Sequence, residues 1–196
     1  MNLEKTIKKL ENRGFSAKYF PTAAEAADYL EAEIQGKSVG IGGSITARDL
    51  GLYERLAKNN TVYGHWQIPG AETIAKANAA EVYITSANAI TEDGEILNID
   101  GRGNRLAAQV YGDKKVYYVA GVNKICPDFA TALDRARNVA SVKNAARFEL
   151  STPCQVDGKC HDCRSPQRIC NALIVHWAPM MGMEAEVVLI GEDMGY

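Results

Sequence analysis

Apolar positions recur along this chain at two spacings, the helical three-to-four and the strand two, and the two alternate. Leu3, Ile7 and Leu10 fall on one helical face, and Gly14 supplies a stop. Residues 15–20 carry a short strand pattern. Thr22 with Glu25 forms a capping box ahead of an Ala-rich helix bearing Ala26, Tyr29, Leu30 and Ile34. Residues 38–44 read as a strand entering a Gly-rich turn, and 45–56 as the helix that follows. Strands are predicted at 61–66 and 81–86, with a short helix over 71–80 between them. Residues 90–99 form a hairpin turning at Asp93-Gly94. A helix over 104–111 leads to a buried strand at 116–120. A long helix over 127–148 places Phe129, Leu133, Ala136 and Ala140 on one side. Residues 172–177 and 185–190 read as a closing strand pair. Strands alternating with helices predict an α/β fold, a mostly parallel sheet flanked by helices.

Composition narrows the class. The chain has 196 residues, 46% of them hydrophobic, and a formal net charge of −2. That suits one domain over residues 1–196, with a cysteine-rich loop at 151–171 inside it. Basic residues are scattered, so nucleic acid is not an expected partner. No apolar run reaches the ~18 residues of a membrane span. The first residues lead into charged periodic sequence rather than an apolar signal core, so a cytoplasmic protein is expected.

Cysteine position changes the picture further. Cys126 stands alone at the mouth of the long predicted helix, where a helix N-terminus can lower a thiol pKa. The simpler reading is a junction residue. Cys154, Cys160, Cys163 and Cys170 share one Pro- and Gly-containing stretch with the spacing C-x5-C-x2-C-x6-C. Four thiols on a loop that wraps can hold a 4Fe–4S cluster, whose negative charge Lys159, Arg164 and Arg168 would offset. Zinc is the alternative metal, although structural zinc sites usually carry two tight cysteine pairs and only one is present. Free or disulfide-linked thiols shaping a loop are the third reading. His161, between two of the cysteines, reads as a solvated bystander.

Two polar turns are candidate ligand sites. Gly42, Gly43 and Ser44 follow a strand and open a helix, which makes a backbone nest for a small anion. The turn is neither a P-loop nor a dinucleotide fingerprint, because the required glycines are missing. Plain strand-to-helix geometry explains it equally well. Asp100, Gly101, Gly103, Asn104 and Arg105 form the second turn, in which Arg105 can hold a carboxylate or phosphate. A turn held by Asp and Asn self-bonding is the plainer explanation. Ser86 and Asn88 sit at a predicted strand end, where α/β sites form. His65-Trp66 and His176-Trp177 read as strand-end packing. Ser38 sits in a G-x-S-x-G string, but at a strand start rather than on a nucleophile elbow.

Longer runs resemble a known family. Residues 86–95 (Ser-Ala-Asn-Ala-Ile-Thr-Glu-Asp-Gly-Glu), then Asn98-Ile99-Asp100-Gly101-x-Gly103-Asn104-Arg105, are similar to the LUD-domain family, the lactate-utilisation proteins. So are residues 119–125, residues 137–140 and the cysteine tail from Thr152 to Asn171. The resemblance implies a fold of the CoA-transferase and ribose-phosphate isomerase type. In that wider group a Gly-rich turn holds phosphate or CoA, which Gly42-Gly43-Ser44 match. Some family members act in lactate oxidation to pyruvate beside iron–sulfur partner subunits. The chain is therefore expected to be an accessory or redox subunit linked to lactate or organic-acid oxidation, an oxidoreductase component. No acidic nucleophile of a CoA transferase can be matched. The rival expectation is a non-redox enzyme or sensor for a sugar phosphate or CoA ester with a structural zinc. A third is a binding module that docks a partner subunit or a second copy in a homo-oligomer.

Overall fold

The computed structural model describes residues 2–196. Helix α1 (Leu3–Asn12) leads into β1 (Ser16–Phe20), and α2 (Ala23–Glu33) into β2 (Ser38–Ile41). The Thr22–Glu25 capping box forms as the sequence predicts. Two short helices, α3 (Ile45–Asp49) and α4 (Leu52–Leu56), precede β3 (Thr61–Gly64). The single helix expected over 45–56 is broken because Gly51 adopts a left-handed conformation, φ +62°. Helix α5 (Ala71–Ala79), β4 (Val82–Thr85), β5 (Ala89–Thr91) and β6 (Ile96–Asp100) follow. Then come α6 (Asn104–Val110), β7 (Lys115–Gly121), a 3-10 turn (Val122–Lys124) and β8 (Ile125–Cys126).

Strands β1, β2, β3, β4, β7 and β10 (Glu184–Ile190) form a six-stranded sheet in the order β1-β10-β7-β4-β2-β3. Every pairing in it is parallel. Both faces of this sheet are covered. Tyr117 and Val119 of β7 join one core, with Leu30, Leu52 and Leu56 from the helices. Val116, Tyr118 and Ala120 of the same strand join the opposite core, with Leu10 and Phe15. Period-two alternation between two buried faces is what makes these strands continuous apolar runs.

A second sheet, β8-β5-β6-β9, holds the hairpin predicted at 90–99. Gly94 turns it at φ +83°. Strand β9 (Ala172–His176) pairs antiparallel with β6. The expected pairing of 172–177 with 185–190 is therefore incorrect. Strand β10 instead lies between β1 and β7, because Ala185, Val187 and Leu189 on one side and Val188 and Ile190 on the other need covering.

The long helix runs as α7 (Phe129–Asp134), a π-helical stretch (Arg135–Ser141) and α8 (Val142–Arg147). Its buried face is Ala132, Ala136, Ala140 and Ala145, while Phe129 is exposed. Ala136 and Ala140 of the expected face are on it and Leu133 packs partly buried beside Ala132, while the wider π turn precedes the five-residue step from Ala140 to the next buried position, Ala145; such turns often mark functional sites. A short helix, α9 (Cys154–Asp157), opens the cysteine loop. Among the described residues no helix is long and apolar enough to cross a membrane.

The chain runs from β2 outward to β3 and then crosses back to β4 on the other side of β2. That reversal leaves a crevice beyond the carboxyl ends of β2 and β4, the usual ligand position in open α/β sheets.

Candidate functional site

A cavity of about 470 Å³ lies at that crevice. Most sequence-predicted ligand residues line it: Gly43 and Ser44 after β2, Ser86 and Asn88 after β4, and Asp100, Gly101, Asn104 and Arg105 after β6. Gly42 and Gly103 do not. Gly42 borders a smaller side pocket of about 70 Å³. A Cβ on it would stand 2.5 Å from the Tyr83 hydroxyl, so glycine is required there for packing. Gly103 caps α6 with φ +82°. Ser44 caps α3 by accepting from the Ala47 N–H at 3.2 Å. Helix α3 has only five residues, so its dipole adds little to anion binding.

The second turn is tightly self-bonded, as its simpler reading expects. Asp100 Oδ1 accepts from the backbone N–H of Arg102 at 3.0 Å and of Gly103 at 3.3 Å. Its Oδ2 accepts from Arg105 Nε at 3.0 Å. Arg105 also donates from Nη2 to the Ile99 carbonyl at 2.7 Å. These bonds use two of the five N–H donors of the guanidinium. Behind the turn, Asn98 is fully buried and donates to the Ser86 carbonyl and to Gln109 Oε1, both at 3.0 Å. Asn88 Oδ1 accepts from the Ile99 N–H at 2.6 Å. This net fixes the β4 end against β6 and sets the position of Ser86.

The most unusual group in the cleft is one the sequence did not single out. Lys124, at the end of the turn after β7, is 3% exposed and lines the cavity. Its Nζ donates to Ser86 Oγ at 2.8 Å and to Thr46 Oγ1 at 3.1 Å. No carboxylate stands within ion-pair distance of it among the described residues. Burial brings its pKa down to about 7, helped by Arg135 and Arg105 and opposed by Asp49. An ammonium so desolvated favours an incoming negative charge. The available signal is positional: a lysine just past a strand that is apolar from Val116 to Gly121.

Other contributors come from segments read as packing. His65 Nδ1 meets Asn104 Nδ2 at 3.1 Å, and its buried Nε2 has no hydrogen-bond partner among the described residues. Burial, with Arg105 nearby, holds its pKa below the usual histidine value. The Arg147 guanidinium lies 4.8 Å from the Trp66 ring centroid and 3.9 Å from that of Phe148. His176, by contrast, is a core residue beside the Tyr118 hydroxyl at 3.2 Å, while Trp177 is exposed. Among the described residues the cleft wall thus carries Arg102, Arg105, Lys124, Arg147 and Arg168 against one acidic side chain, Asp100. On a chain of net charge −2, that local excess of cations is a chemical preference of this cleft.

Cys154, Cys160, Cys163 and Cys170 border a neighbouring space of about 20 Å³, under α8. All four are free and partly buried. Arg137 Nη2 lies 3.5 Å from Cys160 Sγ, and Arg168 donates to the carbonyls of Cys163 at 2.7 Å and Cys170 at 3.0 Å. The thiols surround one space without meeting at a point: among the described residues no three His, Cys, Asp or Glu are placed to hold a metal ion. His161 pairs with Asp157 at 2.9 Å on the surface. Cys126 is buried, and burial pushes its thiol up rather than activating it. The loop also forms part of the cleft. Asn171 donates from its backbone N–H to the Asp100 carbonyl at 3.0 Å, and Arg168 and Ile169 line the cavity.

A family model described as the LUD domain matches residues 3–190. The fold is similar to that of a DUF162 family protein from Deinococcus radiodurans, known from a crystal structure. The TM-score is 0.58 and the identity 14%, over 96% of each chain. No curated protein matches the sequence.

Proposed function

Taking as given that the chain belongs to the LUD-domain family, we propose that the cleft binds a small organic anion, a hydroxy- or oxo-carboxylate. In this reading the protein serves organic-acid oxidation as an accessory or redox subunit. The observation that carries it is the buried Lys124, paired only with hydroxyls inside a wall of arginines. In this reading Arg105 and Arg147 take the carboxylate, and Lys124, Ser86 and Thr46, which line the same cavity, meet the oxygen on the adjacent carbon. Asp100 spends its carboxylate on the turn and on Arg105, so it pins the turn and offsets part of the guanidinium charge. A sugar phosphate is the alternative ligand, favoured by the same cations. Calorimetric titration with lactate and, separately, with inorganic phosphate tests the reading. Saturable one-site binding of lactate supports it, and phosphate binding alone favours the alternative.

The four cysteines support a metal-bearing loop in the same proposal. The donor set fits a 4Fe–4S cluster in number and softness, and Arg137 and Arg168 offset its charge. The loop has to contract for the thiols to reach one centre. When bound, such a cluster supplies one-electron transfer beside the cleft. The chain's own part is Arg168, which bonds the loop and lines the cavity, so ordering the loop also orders one cleft wall. Protein purified without oxygen is expected to be brown, with iron and acid-labile sulfide in cluster ratio. Cys163→Ala is expected to lose both. Zinc without iron supports the structural-zinc alternative, and metal-free protein overturns both.

A further inference from the structure

We propose that Lys124 is a nucleophile that forms an imine with the keto carbon of a 2-oxo carboxylate bound in the cleft. This rests on the anion reading above and adds a covalent step to it. The position meets the requirements of an amine nucleophile. The Lys124 side chain is buried in the cavity wall, and its Nζ is aimed by Ser86 Oγ at 2.8 Å and Thr46 Oγ1 at 3.1 Å. Two hydroxyls occupy two of its three directions, which leaves one donor, or in the neutral amine one lone pair. Among the described residues no carboxylate in contact locks it as an ammonium. Two cationic neighbours, Arg105 and Arg135, further disfavour the protonated form, and a desolvated amine beside other cations is the activated form of lysine. Near neutral pH the free amine is accordingly well populated.

The remaining groups suit the partner carbon. Arg105, Lys124 and Ser86 line the same cavity, so a carboxylate held by Arg105 can present its neighbouring carbonyl to Lys124. The neutral amine attacks that carbon, the C–N bond forms and the C=O π bond breaks to give a carbinolamine. The carbinolamine oxygen leaves as water with two protons, and the C=N bond forms. No oxidant or reductant is consumed. Ser86 and Thr46 are the proton-carrying hydroxyls at the nitrogen. The imine, once protonated, returns a positive charge to the site beside the ligand carboxylate.

The test is reductive trapping of the full-length protein with pyruvate, the smallest 2-oxo acid with a ketone, and cyanoborohydride, followed by peptide mapping. Calorimetric titration with lactate, which has no carbonyl, runs in parallel. The expected result is a stable adduct on Lys124, at least tenfold above the surface lysines, suppressed by excess lactate. Lys124→Arg is expected to abolish the adduct while its thermal midpoint stays within a few degrees of the wild type. Lactate binding without an adduct on Lys124 overturns the imine and leaves the anion site standing. Absence of both overturns the two together. Labelling of Lys124 no greater than that of exposed lysines also overturns the proposal.

Discussion

Lys124→Met is expected to weaken binding of a small carboxylate by roughly 10- to 100-fold, the loss associated with removing a charged hydrogen bond from a buried site. The same change is expected to make the protein more stable. The amine has a pKa of about 10.4 in an unfolded chain and about 7 in the fold. Between those values the unfolded chain holds a proton that the folded chain does not, so stability rises with pH across this window. Below pH 7 the whole cost of burying an ammonium is present, and methionine removes it. The gain is expected to be on the order of 2–4 kcal/mol below pH 7, less whatever Ser86 and Thr46 lose as partners, and to vanish above about pH 10. Urea unfolding at pH 6 and pH 10 measures it. A variant less stable at pH 6 contradicts the picture of a strained, function-bearing lysine.

The second large effect is expected from Asp100→Ala, where stability and binding should move apart. The carboxylate holds two backbone N–H groups and Arg105, and it is buried. Removing it unpins the turn and leaves a partly buried guanidinium without its counter-charge, at a cost of about 3 kcal/mol. Anion affinity is expected to hold or rise, because the cleft loses the one acidic side chain in its described lining. Asp100→Asn, which keeps an acceptor for the turn, is expected to recover part of the stability. Loss of binding in Asp100→Asn with the fold intact would make Asp100 a ligand contact and contradict its role as an anchor of the turn.

These two residues differ in how visible they are in the sequence. Asp100 and Arg105 sit in one turn with two glycines, so their partnership is local and its composition announces it. Lys124 owes its character to Thr46 and Ser86, which are far away in the chain and meet it only when β2, β4 and β7 lie side by side. Nothing in the neighbourhood of Lys124 signals that meeting. Trp66 and Arg147 are brought together in the same way. The strand pattern of β7 and the capping box of α2 were legible because each depends on neighbours within a few residues. Nearness in the chain suggests a pairing of β9 with β10 that the fold does not make. A strand apolar on both sides, as β10 is, needs a neighbour along each edge and a cover on each face. The π turn in the long helix was invisible because a small shift in period leaves an Ala-rich sequence looking helical throughout.

The central claim is that the cleft takes a small anion against a lysine whose burial lowers its pKa to about 7, so that at pH 8.5 it is largely deprotonated before the ligand arrives. Titration calorimetry with lactate at pH 8.5, in two buffers of different ionisation enthalpy, tests it most directly. One saturable site is predicted, with proton uptake on binding that disappears in Lys124→Met. Binding with no proton uptake, or binding unchanged in Lys124→Met, would contradict the account.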